Sequence, residues 1–190
     1  MIFSDEKRFC LDGPDGYNYY WWDKRTEPRV MKKRIQGGGG IMIWGAFSSF
    51  GTTTLALIRG RMDSRRYQEV LRDHLLPYIH RWPNIEFLFV QDNAPIHVSR
   101  STREWFDTQN VPLLPWPPIF CDCNPIENLW GDLSRVVYAD GKQFDSVEAL
   151  SNAIVCAWNS IPQSRLENLI NSMPNRLAQV IQNRGGFTRY

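Results

Sequence analysis

Apolar and polar positions alternate from the first residues. In "IFSDEKRF" (Ile2 to Phe9), Phe3, Asp5, Lys7 and Phe9 fall on one face of an extended chain and Ile2, Ser4 and Glu6 on the other, which predicts a strand. "LDGPDG" then supplies turn chemistry, and the aromatic "YNYYWW" predicts a second, exposed or edge strand. After the glycine run Gly37 to Gly40, "IMIWGAF" has the apolar character of a buried strand, and "TTTLALI" predicts another beyond the turn at Gly51.

The period then lengthens. Tyr67, Val70, Leu71, His74, Leu75 and Tyr78 recur at helical spacing behind the N-cap candidates Asp63 and Ser64. Phe87 to Val90 predicts a strand that runs straight into Gln91, Asp92 and Asn93. "STRE" (Ser101 to Glu104) has the form of a capping box opening a helix through Gln109. "VPLL" predicts a short strand and "PWPP" a loop. A helix is expected from near Asn124 and Pro125 through "IENLWGDLSRVV", because proline suits a first helical turn. "DSVE" caps another helix through Trp158, with Val147, Leu150 and Ile154 inward. The tail from Ser164 to Asn183 predicts one or two more helices, interrupted near Pro174. Strands first, then alternating elements, then helices describe an α/β architecture: a mixed sheet flanked by helices, with additional helices at the C-terminal end.

Length and composition add bounds. The 190 residues suit a single domain over 1–190 with a sizeable core. With 43% hydrophobic and 22% charged residues the chain has ordinary globular usage, and eight Trp suggest an aromatic-rich core. No apolar run approaches a membrane span of about 20 residues, and Asp5, Glu6, Lys7 and Arg8 stand where a signal peptide would be apolar, so an intracellular protein is expected. Cys10, Cys121, Cys123 and Cys156 complete no recognised zinc spacing and are expected to be free thiols. The net charge of +2 does not announce a nucleic-acid binder. Its distribution is more telling: Lys24, Arg25, Arg29, Lys32, Lys33 and Arg34 crowd one stretch against a single Glu. Such a stretch is either a solvated loop face or a contact for a phosphate backbone.

Three acidic residues sit where side chains converge on the edge of a core: Asp5 in the first strand, Asp92 at the end of a central one, and Glu127 in the first turn of a helix. A carboxylate there is costly unless compensated. A hard divalent cation is one compensation, and two ions about 3.5–4 Å apart would serve phosphoryl transfer without a protein nucleophile. Local caps and surface ion pairs are the other. His97 follows Asp92 closely and is either a substrate contact or structural. "GGGG" lacks the Lys and Ser or Thr of a phosphate-binding loop, and there is no G-x-S-x-G.

The strings "IFSDEKRF", "LDGPDG", "YYW", "EPRV", "GGG", "IMIWGAF", "QDNAPIHVS" and "NPIENLWG" run in order along almost the whole chain and resemble the catalytic domain of Tc/mariner superfamily transposases, most closely the nematode-type Tc branch. Thirty-four residues separate Asp92 from Glu127, as in that branch. The resemblance implies a ribonuclease H-like fold and a catalytic, metal-binding Asp-Asp-Glu triad of Asp5, Asp92 and Glu127, holding Mg²⁺ or Mn²⁺, with two ions expected. Asn93, His97 and Asn128 would stand just behind it. The implied activity is cut-and-paste DNA transposition. Phosphodiester bonds at the element ends are hydrolysed, and the freed 3′-hydroxyl attacks double-stranded target DNA at a TA step. A nuclear location, a homodimer and DNA contacts by the basic stretch are expected with it. The family's N-terminal helix-turn-helix domains are not expected within these residues. Before Glu127, Asp122 and Asn124 to Glu127 match the family string, whereas Phe120, Cys121 and Cys123 replace Ser, Pro and Leu, which is expected to loosen the loop that positions Glu127. Two alternatives stay open: an inactive or domesticated remnant that binds DNA or a protein, and a stand-alone ribonuclease H-type nuclease.

Overall fold

The computed structural model describes residues 1–13, 24–25, 39–117 and 123–186. Strand β1 (Ile2–Cys10) and strand β2 (Gly40–Ser48) form a long antiparallel ladder at the centre of a five-stranded mixed sheet. On the far side of β2 lie β3 (Gly51–Thr52) and β4 (Ala56–Ile58), and on the far side of β1 lies β5 (Phe89–Val90), which is parallel to it. Both faces of the sheet are covered, so the alternation in β1 sorts side chains between two cores. Phe3 and Phe9 enter one and Ile2 the other.

Helices α4 (Ile126–Val137), α5 (Val147–Asn159), α6 (Gln163–Asn171) and α7 (Met173–Gln182) contribute to the first core, where Trp130 and Trp158 stack at 5.3 Å. The second core lies under α1 (Ser64–Val70), α2 (Leu76–His80) and α3 (Arg100–Gln109), and centres on Trp44, Tyr67 and Phe89. A π-type turn over Leu71–Leu75 joins α1 to α2 just ahead of Pro77, which has no N–H to continue a regular ladder.

Several expectations are refined. "TTTLALI" is split into β3 and β4 by a bulge: Phe47 pairs with Thr52 and Trp44 with Ala56, so one strand spends an extra residue there. Thr53 fills the gap, its N–H donating to the Ala46 carbonyl and its hydroxyl accepting from the Ala46 N–H. The strand expected over 87–90 is laddered only at Phe89 and Val90, because pairing with β1 starts at Ile2. "VPLL" supplies a single parallel bridge from Leu113 to Phe89 instead of a strand. Ser99, two residues before the expected box, caps α3: its hydroxyl accepts from the Thr102 N–H. Asp63 caps α1 and Ser146 caps α5, and the tail breaks at Ser172 into α6 and α7, with Pro174 in the first turn of α7. Cys10, Cys123 and Cys156 are not disulfide-bonded. The expected strand over "YNYYWW" and residue Cys121 lie outside the described residues.

Candidate active site

The parallel pair β1 and β5 sets the geometry. Ser4 donates its hydroxyl to the Val90 carbonyl (2.8 Å) at the last pair of the ladder, beyond which the chain leaves the sheet at Gln91 and Asp92. Asp92 therefore emerges beside the strand that carries Asp5 and Glu6. The third acidic residue is brought in by Asn124, buried, whose amide donates to the Ser4 carbonyl (3.1 Å) while its oxygen accepts from the Ile126 N–H (3.3 Å). One side chain thus pins the start of α4 to β1, and Glu127 sits in the first turn of that helix.

Asp5 is the partly buried member, whereas Asp92 and Glu127 are exposed. The Trp130 indole N–H donates to its Oδ2 at 3.0 Å, from the inward face of α4 one turn beyond Glu127. The indole comes this close because residue 45, the cross-strand partner of Asp5, is glycine: a Cβ there would stand 3.0 Å from Trp130 and 3.1 Å from Trp158. Burial, and then the charges of Glu127 and Glu6, raise the Asp5 carboxyl from 3.8 to about 7.

Asp92 is exposed and tied on one oxygen. Its Oδ1 accepts from the Ala94 N–H (2.9 Å) and from His97 Nδ1 (2.5 Å), and chiefly the imidazole holds its pKa below the ordinary value. His97 is 3% exposed and bridges to β1, with Nε2 3.2 Å from Glu6 Oε1. Burial disfavours its charge, yet the bonds to Asp92 and Glu6 outweigh that and hold it at about 9. Tyr67 packs against the imidazole in a tilted contact, 4.2 Å between ring centroids, and donates its hydroxyl to Gln91 Oε1 (2.7 Å). Burial and the nearby charges of Glu6 and Asp92 push that phenol well above 10.

The structure thus brings Asp5 and Glu127 into electrostatic contact and sets Asp92 on the adjoining strand end, with His97 behind it. Among the described residues no three His, Cys, Asp or Glu side chains are gathered tightly enough to enclose an ion. Asn93 instead braces the following loop, its amide donating to the Trp116 carbonyl (2.7 Å). Asn128 accepts from Nη2 of Arg176 (2.7 Å), a buried arginine of α7 whose Nε donates to Ser172 Oγ. Lys24 and Arg25 are exposed, and Arg29, Lys32, Lys33 and Arg34 lie outside the described residues. Of the altered loop, residues 120–122 also lie outside them, whereas Cys123 is buried.

Sequence reasoning missed Glu6, Trp130, Tyr67 and Arg176 as parts of this site. Glu6 carried a signal, a carboxylate alternating onto a face with Ile2 and Ser4, and Trp130 carried another, one turn after Glu127. Nothing local marks Arg176.

A mixed sheet covered by helices on both faces, with carboxylates on one central strand, just past the end of its parallel neighbour and at a helix start, is a ribonuclease H-like fold. Solved structures share the fold. The Mos1 mariner paired-end complex with Mn superposes with a TM-score of 0.84 at 21% identity, covering 99% of this chain and 56% of that one. The Mos1 transposase catalytic domain gives 0.78 at 18%, covering 99% and 83%. Residues 1–151 match the DDE superfamily endonuclease family, and the chain belongs to it, as a catalytic domain of Tc/mariner transposase type. It is 46% identical over its whole length to the transposable element Tc3 transposase of Caenorhabditis elegans and 36% identical to the Tc1 transposase of the same organism. It spans 58% of the length of the first and 70% of the second.

Proposed function

We propose that this domain cleaves and joins DNA strands in cut-and-paste transposition, with Asp5, Asp92 and Glu127 as its catalytic, metal-binding residues. The observation that carries the reading is the Asp5 carboxyl, raised to about 7 beside Glu127 and Glu6. A carboxylate in that state is short of positive charge, and an oxygen-only donor set suits a hard divalent cation such as Mg²⁺ or Mn²⁺. Asp92 and Glu127 are exposed, so both carboxylates are open to a cation from solvent. Relatives support the metal: Mos1 paired-end complexes are described with Mn and with Mg.

When bound, a pair of such cations supplies Lewis acidity at the phosphate and favours ionisation of the attacking oxygen. The chain's own residues supply placement. β1 holds Asp5 on a rigid sheet, Trp130 fixes one of its oxygens, and His97 occupies Oδ1 of Asp92 and leaves Oδ2 for the reaction side. The reading extends to double-stranded DNA as substrate, element ends first and a TA-containing target second, to a homodimer on paired ends, and to the nucleus. The exposed Lys24 and Arg25, with the basic residues that follow them, are the proposed contacts to the DNA backbone.

A second reading, a non-cleaving remnant that binds DNA or a protein, is favoured by the changed residues Phe120, Cys121 and Cys123 before Glu127. Calorimetric titration with Mn²⁺, followed by a nicking assay on duplex DNA, tests both. The first reading predicts binding and nicking by the parent and loss of both in Asp92→Asn. Nicking that survives in Asp92→Asn sinks both readings, and a folded parent that never nicks DNA leaves the remnant.

A further inference from the structure

A groove of about 330 Å³ opens beside Asp92. Its lining includes Leu113, Pro115 and Trp116, which precede the start of α4, and His97, Val98 and Arg103, which lead into and begin α3. That volume is at the lower end of small-ligand clefts, about 300–1,000 Å³, and suits one nucleotide better than a duplex. Two features give it chemical character. Arg103, exposed on the first turns of α3, shares the groove with Asp92 yet makes no ion pair among the described residues; Asp92 takes His97 instead. A guanidinium left off a neighbouring carboxylate is available to a phosphate, which it binds with two parallel N–H groups.

Trp116 is the second feature. Its ring meets Phe3 edge-on at 6.3 Å and its carbonyl is held by Asn93, the residue after Asp92, so this wall is anchored to the site. The indole is only partly buried. A partly exposed aromatic ring and an arginine with no ion pair among the described residues, lining one groove together with a carboxylate, match a nucleotide: base against the ring, phosphate on the arginine.

We infer that this groove receives the nucleotide adjoining the scissile phosphate, with Arg103 on a backbone phosphate and Trp116 against the base. The inference rests on the DNA-processing reading above. It is tested by fluorescence anisotropy of a TA-containing duplex with a short single-stranded extension, and of the same DNA with an abasic position in the extension, at several salt concentrations with Mg²⁺ present. Arg103→Ala is expected to weaken binding about 10-fold and to reduce the slope of log K against log salt by about 0.7–0.9, one phosphate contact. Trp116→Ala is expected to weaken binding of the base-bearing DNA about 10-fold and leave abasic DNA unaffected, while Trp116→Phe retains most of the affinity. Parent binding with an unchanged slope in folded Arg103→Ala, or equal losses on both DNAs in Trp116→Ala, overturns the groove and leaves the DNA reading standing. A parent that binds neither DNA overturns both.

Discussion

Replacing Asp5 with Asn is expected to make the metal-free protein more stable. The carboxyl is held at about 7 against an ordinary 3.8. At about 1.4 kcal/mol for each tenfold change in proton affinity, carrying its charge at pH 8 costs at most about 4 kcal/mol. Asp5 is only partly buried, so solvent screening reduces this to about 2 kcal/mol. Asn keeps an oxygen for the Trp130 N–H and carries no charge. The sign follows from proton binding. The folded state holds this proton up to about pH 7 and the unfolded state only to about 4, so the Asp5 contribution to stability falls as pH rises across that window. Thermal melts at pH 8 without metal are expected to place Asp5→Asn about 4–8 °C above the parent, given about 2–4 °C per kcal/mol for a chain of this size. At pH 3.5 the two should converge. Millimolar Mn²⁺ should raise the parent's melting point and leave the variant's unchanged, because binding to the folded state alone stabilises it. Equal or lower stability of Asp5→Asn at pH 8 would refute the claim that charge crowding, and not ordinary packing, dominates this position.

Four further outcomes follow from the geometry. His97 is held at about 9 against an ordinary 6.5, so its contribution of about 1–3 kcal/mol is present in full below pH 6.5 and lost as pH rises through 9; urea midpoints between pH 8 and 10 should fall in the parent and fall less in His97→Asn. Gly45→Ala places a Cβ within 3.1 Å of Leu55, Trp130 and Trp158, and is expected to cost about 1–3 kcal/mol by overpacking, read as a lowered melting point. Asn124→Ala leaves the Ser4 carbonyl and the Ile126 N–H without their partner, at about 1–3 kcal/mol, and should weaken Mn²⁺ binding in calorimetry because Glu127 loses its tether. Arg176→Met removes charged hydrogen bonds to Asn128 and Ser172, and chemical denaturation should show a loss of about 2–3 kcal/mol even though α7 lies beyond the family match.

The order of elements was legible in the sequence because each rests on a short-range rule. Alternation marks β1, an apolar run marks β2, and a 3.6-residue period marks the helices, with Asp or Ser caps on α1, α3 and α5 and a proline in or just before the first turn of α4, α6 and α7. Asp92 and Glu127 stood out as candidates in the sequence because an acidic residue just past a strand or at a helix start is conspicuous, whereas Asp5, within the polar run Ser4 to Arg8, was singled out by its place in the first strand. Where the local rule is weak the sequence misplaced boundaries. The β3–β4 bulge depends on which residues of β2 lie opposite, and the length of β5 depends on where β1 begins.

Convergence was decided only in three dimensions. Asp5 and Glu127 lie far apart in the chain, and they meet because Asn124 ties α4 to Ser4, a bond between residues 120 positions apart. The high pKa of Asp5 exists only after burial adds a desolvation cost and two neighbouring carboxylates add repulsion. Gly45 looks dispensable in a strand until the stacked Trp130 and Trp158 are placed over it. Arg176 reads as one more polar residue of an amphipathic helix until folding buries it against Asn128. Local pattern is carried by backbone geometry that every stretch of chain shares, whereas a site is made by long-range contacts whose partners the sequence does not mark.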